Sequence, residues 1–283
     1  MRSLLLILLL LVNIQAKSLF SNDEQAATSK YIDNLKDLII ATQKTRGLTN
    51  SYLNGNTAAM LLVYGNRDQM KQAIGNMEST PLASDPVINS RATTISQALI
   101  SLNHKAFKQK PKKIFAAYTE QIEQTLMLAQ TVSKRFAKDL TPFGKDASSV
   151  MMEIMLPMTE YTGELRGMGA GIAAKKTISK DEYEKLTVLI YELKSLNQKL
   201  QTQMTTVIGK YNNKFPSKIK NELSDINAKV NLYTSFATKE FNSKKINVDA
   251  DEYFDQGTVL ISTIIKAYNT TNKAILEDSK GWF

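Results

Sequence analysis

Met152–Lys176 reads MEIMLPMTEYTGELRGMGAGIAAKK, a stretch with helical period that carries a charge where burial is expected. Met152, Met155, Thr159, Gly163, Arg166, Ala170 and Ala173 share one helical face, apolar or small except for Arg166. A guanidinium on an inward stripe needs a partner, since an uncompensated buried charge is strongly unfavourable. The pattern recurs in Tyr31–Asn56, where Ile32, Leu35, Ile39, Thr42, Arg46, Thr49 and Leu53 form a stripe with Arg46 as its single charge. Each arginine precedes a glycine and a large apolar residue, in Arg46-Gly47-Leu48 and Arg166-Gly167-Met168. Two such helices, each bringing an unpaired guanidinium and a bare backbone, can meet around a small anion, because arginine stays charged and offers planar donors. The plainer reading is a helical arginine paired with a buried glutamate or reaching solvent along its stem.

Outward from these stretches, caps and prolines divide the chain into helices. The first is expected from near Ser29 to Leu53, stopped by Asn54-Gly55. A second covers Thr57 to about Met77, with Met60, Leu61, Tyr64, Met70 and Ile74 as packing positions. Asp85-Pro86 opens a third, with Ile95, Leu99 and Leu102 inward, and Pro111 a fourth, with Phe115, Tyr118, Ile122, Leu126 and Leu128 inward. Thr141-Pro142 starts the helix that carries Arg166, and Pro157 inside it predicts a kink that frees the Glu153 carbonyl. Ser179 with Glu182 makes a capping box for a helix from Lys180 to about Asn212, roughly 50 Å long at about 1.5 Å per residue. Pro216 opens a seventh helix through about Phe241, and Asp249 with Glu252 caps an eighth that carries Phe254, Leu260, Ile264 and Ile265. The predicted class is all-α: two stacked four-helix bundles with long shared or adjoining helices, roughly 28–140 and 141–278. The paired arginine helices suggest an internal duplication, with the anion site between them.

Composition narrows the function. The chain has no cysteine, which removes disulfides, thiol catalysis, covalent c-type haem and cysteine-ligated metals. His104 is the single histidine, so a histidine triad or histidine metal cluster is not expected. Met151, Met152, Met155, Met158 and Met168 could be read as soft copper ligands, but without histidine nearby they read as core filling. The net charge of +9 suits an acidic partner or an anionic surface, yet base-stacking motifs and phosphate loops are missing, so no nucleic acid is expected. Lys105, Lys108, Lys110, Lys112 and Lys113 read as a solvated connector. Residues 1–16 have the pattern of a signal peptide, with Arg2, an apolar run from Leu4 to Val12 and the small Ala16 as a candidate cleavage point, while the bulky Ile14 two places earlier leaves an uncleaved anchor as the alternative. The expectation is therefore export to the periplasm or the extracellular space.

Gln43-Lys44-Thr45-Arg46-Gly47-Leu48, followed by Tyr52-Leu53, resembles the first signature of the nitrate- and nitrite-sensing domain family. Glu160 to Gly167, followed by Gly169-Ala170-Gly171 and Ser179 to Leu186, is similar to its second, and Tyr253 to Thr258 to the start of its last helix. The resemblance spans Ile32 to Leu276. It implies a pair of four-helix bundles in which an arginine from each signature helix, here Arg46 and Arg166, holds nitrate or nitrite. Thr45 and Leu165 depart from it, because the family usually has an acid before each arginine. Members usually carry an output module, a histidine kinase, chemoreceptor coil or antiterminator domain; none is recognised in the sequence up to Phe283, and the expectation is that any signal passes to another protein.

The expected function is an exported sensor for a small oxyanion, nitrate or nitrite. It would signal through a separate membrane-bound histidine kinase or chemoreceptor, and a homodimer is compatible with it. The ligand-binding set is Arg46, Arg166, Gly47, Gly167, Thr49 and Thr162, with the threonines ranked second because helical threonines often bond back to the helix. No cofactor, metal or catalytic residue is expected. The alternative is a helical interaction or scaffold protein that retains the fold without anion binding.

Overall fold

A computed structural model describes residues 2–243 and 245–281, with side chains from Asp23 onward. Every regular element among them is helical: α1 Arg2–Leu53, α2 Ala59–Glu78, α3 Pro86–Lys105, α4 Pro111–Phe136, α5 Pro142–Val150, α6 Leu156–Lys175, α7 Lys180–Lys210, α8 Lys218–Phe241 and α9 Ala250–Ser279. The expected signal segment 1–16 lies outside the residues whose side chains are described. The first helix is continuous through residues 23–28, ahead of the expected start near Ser29. Among the described residues, no helix is long and apolar enough to cross a membrane.

The boundaries follow from local chemistry. Asp85 accepts from the Val87 and Ile88 amides ahead of Pro86, and Thr141 accepts from the Gly144 amide ahead of Pro142. Ser179 and Glu182 form the reciprocal box that starts α7. Asp249 accepts from the amides of Asp251 and Glu252 at the start of α9. Gly55 has φ +113°, the left-handed geometry expected after Asn54, and Lys176 ends α6 with φ 59°. Pro216 does not itself open a helix: α8 begins two residues later, at Lys218.

The expected kink at Pro157 takes another form. Met151–Met155 is a π turn in which the Leu156 amide donates to the Met151 carbonyl, five residues back. The inserted residue absorbs the missing Pro157 amide and resets the phase of α6 relative to α5. Met151, Met152, Ile154, Met155 and Leu156 are therefore all buried, where a single stripe was expected. The methionines named above fill core, except Met168, which is half-buried.

On α2 the expected face holds at Met70 and Ile74 and fails towards the start of the helix. Leu61 is 79% and Tyr64 47% exposed, while Ala59, Val63, Asn66, Met70, Ala73, Ile74 and Met77 face inward. Asn66 fixes this phase by donating to the Ala41 carbonyl at 2.6 Å and to Thr45 Oγ1 at 2.5 Å, both on α1.

Contacts group the helices into two rings. α1 packs on α2 and α4, and α3 on α2 and α4; α6 packs on α7 and α9, and α8 on α7 and α9. The rings meet along α1 and α6, and α6 is buried on nearly every side, as the central helix of the molecule must be.

Candidate anion-binding site

The seam depends on a line of glycines, Gly163, Gly167 and Gly171, one turn apart on α6. A Cβ on Gly163 would lie 3.1 Å from Gln43 Cδ, and one on Gly171 only 2.2 Å from Asn50 Nδ2. At the centre, a Cβ on Gly167 would sit 2.9 Å from Gly47 Cα, so the two backbones touch. Asn50 crosses the seam and donates to the Gly167 carbonyl at 2.9 Å.

Arg46 is fully buried beside this contact. Its Nη1 donates to Glu160 Oε1 at 2.5 Å and to Thr119 Oγ1 at 2.8 Å, and its Nη2 to Glu160 Oε2 at 3.2 Å. The guanidinium lies over the Phe115 ring, 4.9 Å from the centroid. Gln43 Nε2 donates to Glu160 Oε2 at 3.0 Å. Burial pushes the Glu160 carboxyl up to about 7, against the lowering effect of Arg46. The sequence expectation of an unpaired Arg46 is thus corrected: an acid from the facing helix holds it.

Arg166 is as deeply placed, at 2% exposure, but its surroundings differ. Its Nη1 donates to Thr258 Oγ1 at 2.9 Å, and it lies 4.4 Å from the Phe254 ring centroid. Its Nε and Nη2 have no hydrogen-bond partner, and among the described residues no carboxylate pairs with it. Burial lowers its pKa to about 10, with the like charge of Arg46 acting in the same direction, which leaves it charged at neutral pH. It borders a groove of about 600 Å³ between α1, α2 and α9, with Lys36, Lys44 and Lys266 on its walls.

The two arginines occupy matching surroundings. Arg46 stacks on Phe115 and bonds Thr119, one turn further along α4; Arg166 stacks on Phe254 and bonds Thr258, one turn further along α9. The rings are exchanged across the seam: a Cβ on Gly167 would meet Phe115 at 3.0 Å, and one on Gly47 would meet Phe254 at 2.7 Å. The match fails at one position. Six residues before Arg166 stands Glu160, and six before Arg46 stands Ile40, so the acid has no counterpart for Arg166.

The remaining expected residues divide. Gly47 and Gly167 make the backbone contact, in mid-helix where the helical ladder takes their amides. Thr49 is fully buried, and its hydroxyl has no partner. Thr162 donates to the Met158 carbonyl at 2.8 Å, bonding back to its own helix. Sequence reasoning assigned no role to Gln43, Thr119, Glu160 or Thr258, nor to Phe115 and Phe254 as stacking rings. The shared spacing Phe-x-x-x-Thr in Phe115–Thr119 and Phe254–Thr258 was the available signal. Tyr233 was also missed; a Cβ on Gly257 would lie 2.7 Å from its hydroxyl and 2.8 Å from Arg166 Cβ.

Fold and site together define an all-helical protein with two buried guanidinium groups at the seam of two helical rings. The family model for nitrate and nitrite sensing (NIT) matches residues 37–278, and the chain belongs to that family. A structure of the NasR transcription antiterminator is similar in fold, with a TM-score of 0.60 and 12% identity, covering 97% of this chain and 74% of that one. A search of curated proteins gives no match.

Proposed function

We propose that this chain senses nitrate or nitrite by holding the anion at the seam of α1 and α6, between Arg46 and Arg166. The observation that carries this reading is Arg166: a charged group at 2% exposure with two donors unmatched and, among the described residues, no carboxylate in ion-pair contact. Such a charge is costly in a dry interior, and a small anion would supply both the counter-charge and the acceptors. The Thr258 hydroxyl beside the guanidinium adds a polar contact, and Thr49, three residues after Arg46 on α1, has a buried hydroxyl without a partner. The groove that leads to Arg166 carries Lys44 and Lys266, with Lys36 paired to Asp33 and Asp37, and so has an excess of positive charge along its walls. The bound anion would draw α1 and α6 together, with the shift limited by its differential affinity for the two arrangements. Export through residues 1–16 and readout by a membrane-bound histidine kinase or chemoreceptor complete the proposal.

The pairing of Arg46 with Glu160 favours a second reading, a scaffold that retains the fold without anion binding. Thermal unfolding of the chain from Lys17 onward separates the two. Nitrate, nitrite, sulfate and chloride are compared at matched ionic strength, with Arg46→Ala and Arg166→Ala alongside. Nitrate or nitrite at about 100 times its dissociation constant should add about 2.7 kcal/mol. The rise in midpoint should disappear in both variants. An unchanged midpoint with every anion would leave the scaffold reading.

A further inference from the structure

Glu160 offers Arg46 the same chemistry that nitrate would. It is a planar anion with two oxygens on one guanidinium, at 2.5 and 3.2 Å, with Gln43 completing the set. The carboxylate comes from the partner helix at the seam. We infer that Glu160 is an internal counter-anion that sets the charge of the site: while ionised it makes the site select a monovalent oxyanion over a divalent one, and near neutrality a bound oxyanion drives it to its neutral form, with uptake of a proton, and so lifts that selection. The inference rests on the two-arginine reading of the site.

The charge count gives the selectivity. Arg46 and Arg166 with an ionised Glu160 leave a single positive charge buried at the seam. One monovalent anion neutralises it, whereas sulfate would leave a net negative charge in a dry interior. The other charges near the pair are exposed or paired: Asp255 of α9 acts on Arg166 from an exposed position and lies outside the buried count. Glu164, one turn along α6, pairs with Lys185 of α7 at 2.5 Å, and α1 adds Gln43 and α4 adds Thr119 as neutral groups.

Proton uptake follows from the same geometry. An anion entering beside Glu160 adds negative charge and competes for Arg46, and both effects favour the neutral carboxyl. Burial already raises this group to about 7, so the proton is available near neutrality. Protonation leaves two uncompensated guanidiniums, and discrimination against sulfate should therefore weaken in acid.

Calorimetric titration of the full chain with nitrate, nitrite and sulfate tests this. It is run at about pH 6, 7 and 8.5 in buffers of different ionisation enthalpy, on the natural protein and Glu160→Gln. In the natural protein, nitrate binding should take up a proton and weaken by up to about tenfold per pH unit above neutrality. The glutamine variant should bind nitrate at least about tenfold tighter at pH 8.5, without proton uptake, and should admit sulfate. Nitrate binding without proton uptake, together with a variant that binds no tighter and still excludes sulfate, would overturn the inference and leave Glu160 as a residue that positions Arg46. If neither protein binds any of the anions, the sensing reading itself fails. Proton uptake by the natural protein is measured without any substitution, so a misfolded variant cannot hide the result.

Discussion

Arg46 and Arg166 are matched in burial and in ring stacking, and differ in what their heads meet. Their removal should therefore have unequal effects. Arg46→Ala strands Glu160 as an uncompensated acid, and breaking a buried pair this way costs about 3–5 kcal/mol. The loss should be smaller near pH 5.5, where Glu160 is neutral. Arg166→Met strands no acid and removes an unpaired cation, so without nitrate or nitrite it should leave stability equal or higher. Urea unfolding at about pH 8 in low salt checks both, and equal losses would contradict the assignment. The sequence made both arginines legible because a charge interrupts an apolar stripe. Glu160 was not legible as the partner, since it lies 114 residues from Arg46 and shares its helix face with Glu164, which turns to Lys185 instead. Periodicity says which face a residue shares, and gives no indication of which of two acids meets the facing helix.

At the scale of the element, α6 is defined by what it lacks. Gly167 faces Gly47 so closely that a methyl group must move backbone, which no side-chain rotation can relieve. Gly167→Ala should cost about 1–3 kcal/mol by overpacking and, by separating α1 from α6, weaken the nitrate response too. Denaturant midpoints with and without nitrate measure the two effects, and a neutral substitution would show that the seam gives way freely. The element starts were legible because they rest on residues a few positions apart: Asp85 with Ile88, Thr141 with Gly144, Ser179 with Glu182. The π turn was legible only as a disturbance at Pro157, since a hydrophobic run that is buried all round carries no phase. The first half of α2 was misread, at Leu61 and Tyr64, because Asn66 is polar and yet inward, its amide satisfied by an α1 carbonyl that no local pattern announces.

For the whole molecule, Glu160 places a sign on the pH dependence of stability. Its carboxyl titrates near 4.5 when unfolded and is raised to about 7 when folded, so the native state holds the extra proton between these values. Its contribution is complete below about pH 4.5 and is lost as pH rises through about 7. Asp85, held low first by the Ile88 amide, and Asp146, held low first by Lys210, act in the opposite sense and only in more acid solution. The protein should therefore unfold at lower urea near pH 7.5 than near pH 5.5, and Glu160→Gln should reduce that difference. Retention of the full difference in the variant would move the effect elsewhere. The all-helical class was legible from the caps, the prolines and the helical spacing of apolar residues. That α1 and α6 form the seam was indicated by the glycine that follows each arginine.

The exchanged rings make this seam a cross-brace. Phe254 stacks on Arg166 and presses on Gly47 of the other ring; Phe115 stacks on Arg46 and presses on Gly167 in return. A brace of this kind carries load in both directions. If an anion reseats Arg166, Phe254 should be displaced against α1, and a partner that grips α4 should tighten or slacken Arg166's hold through Phe115 and Gly167, by the same free energy.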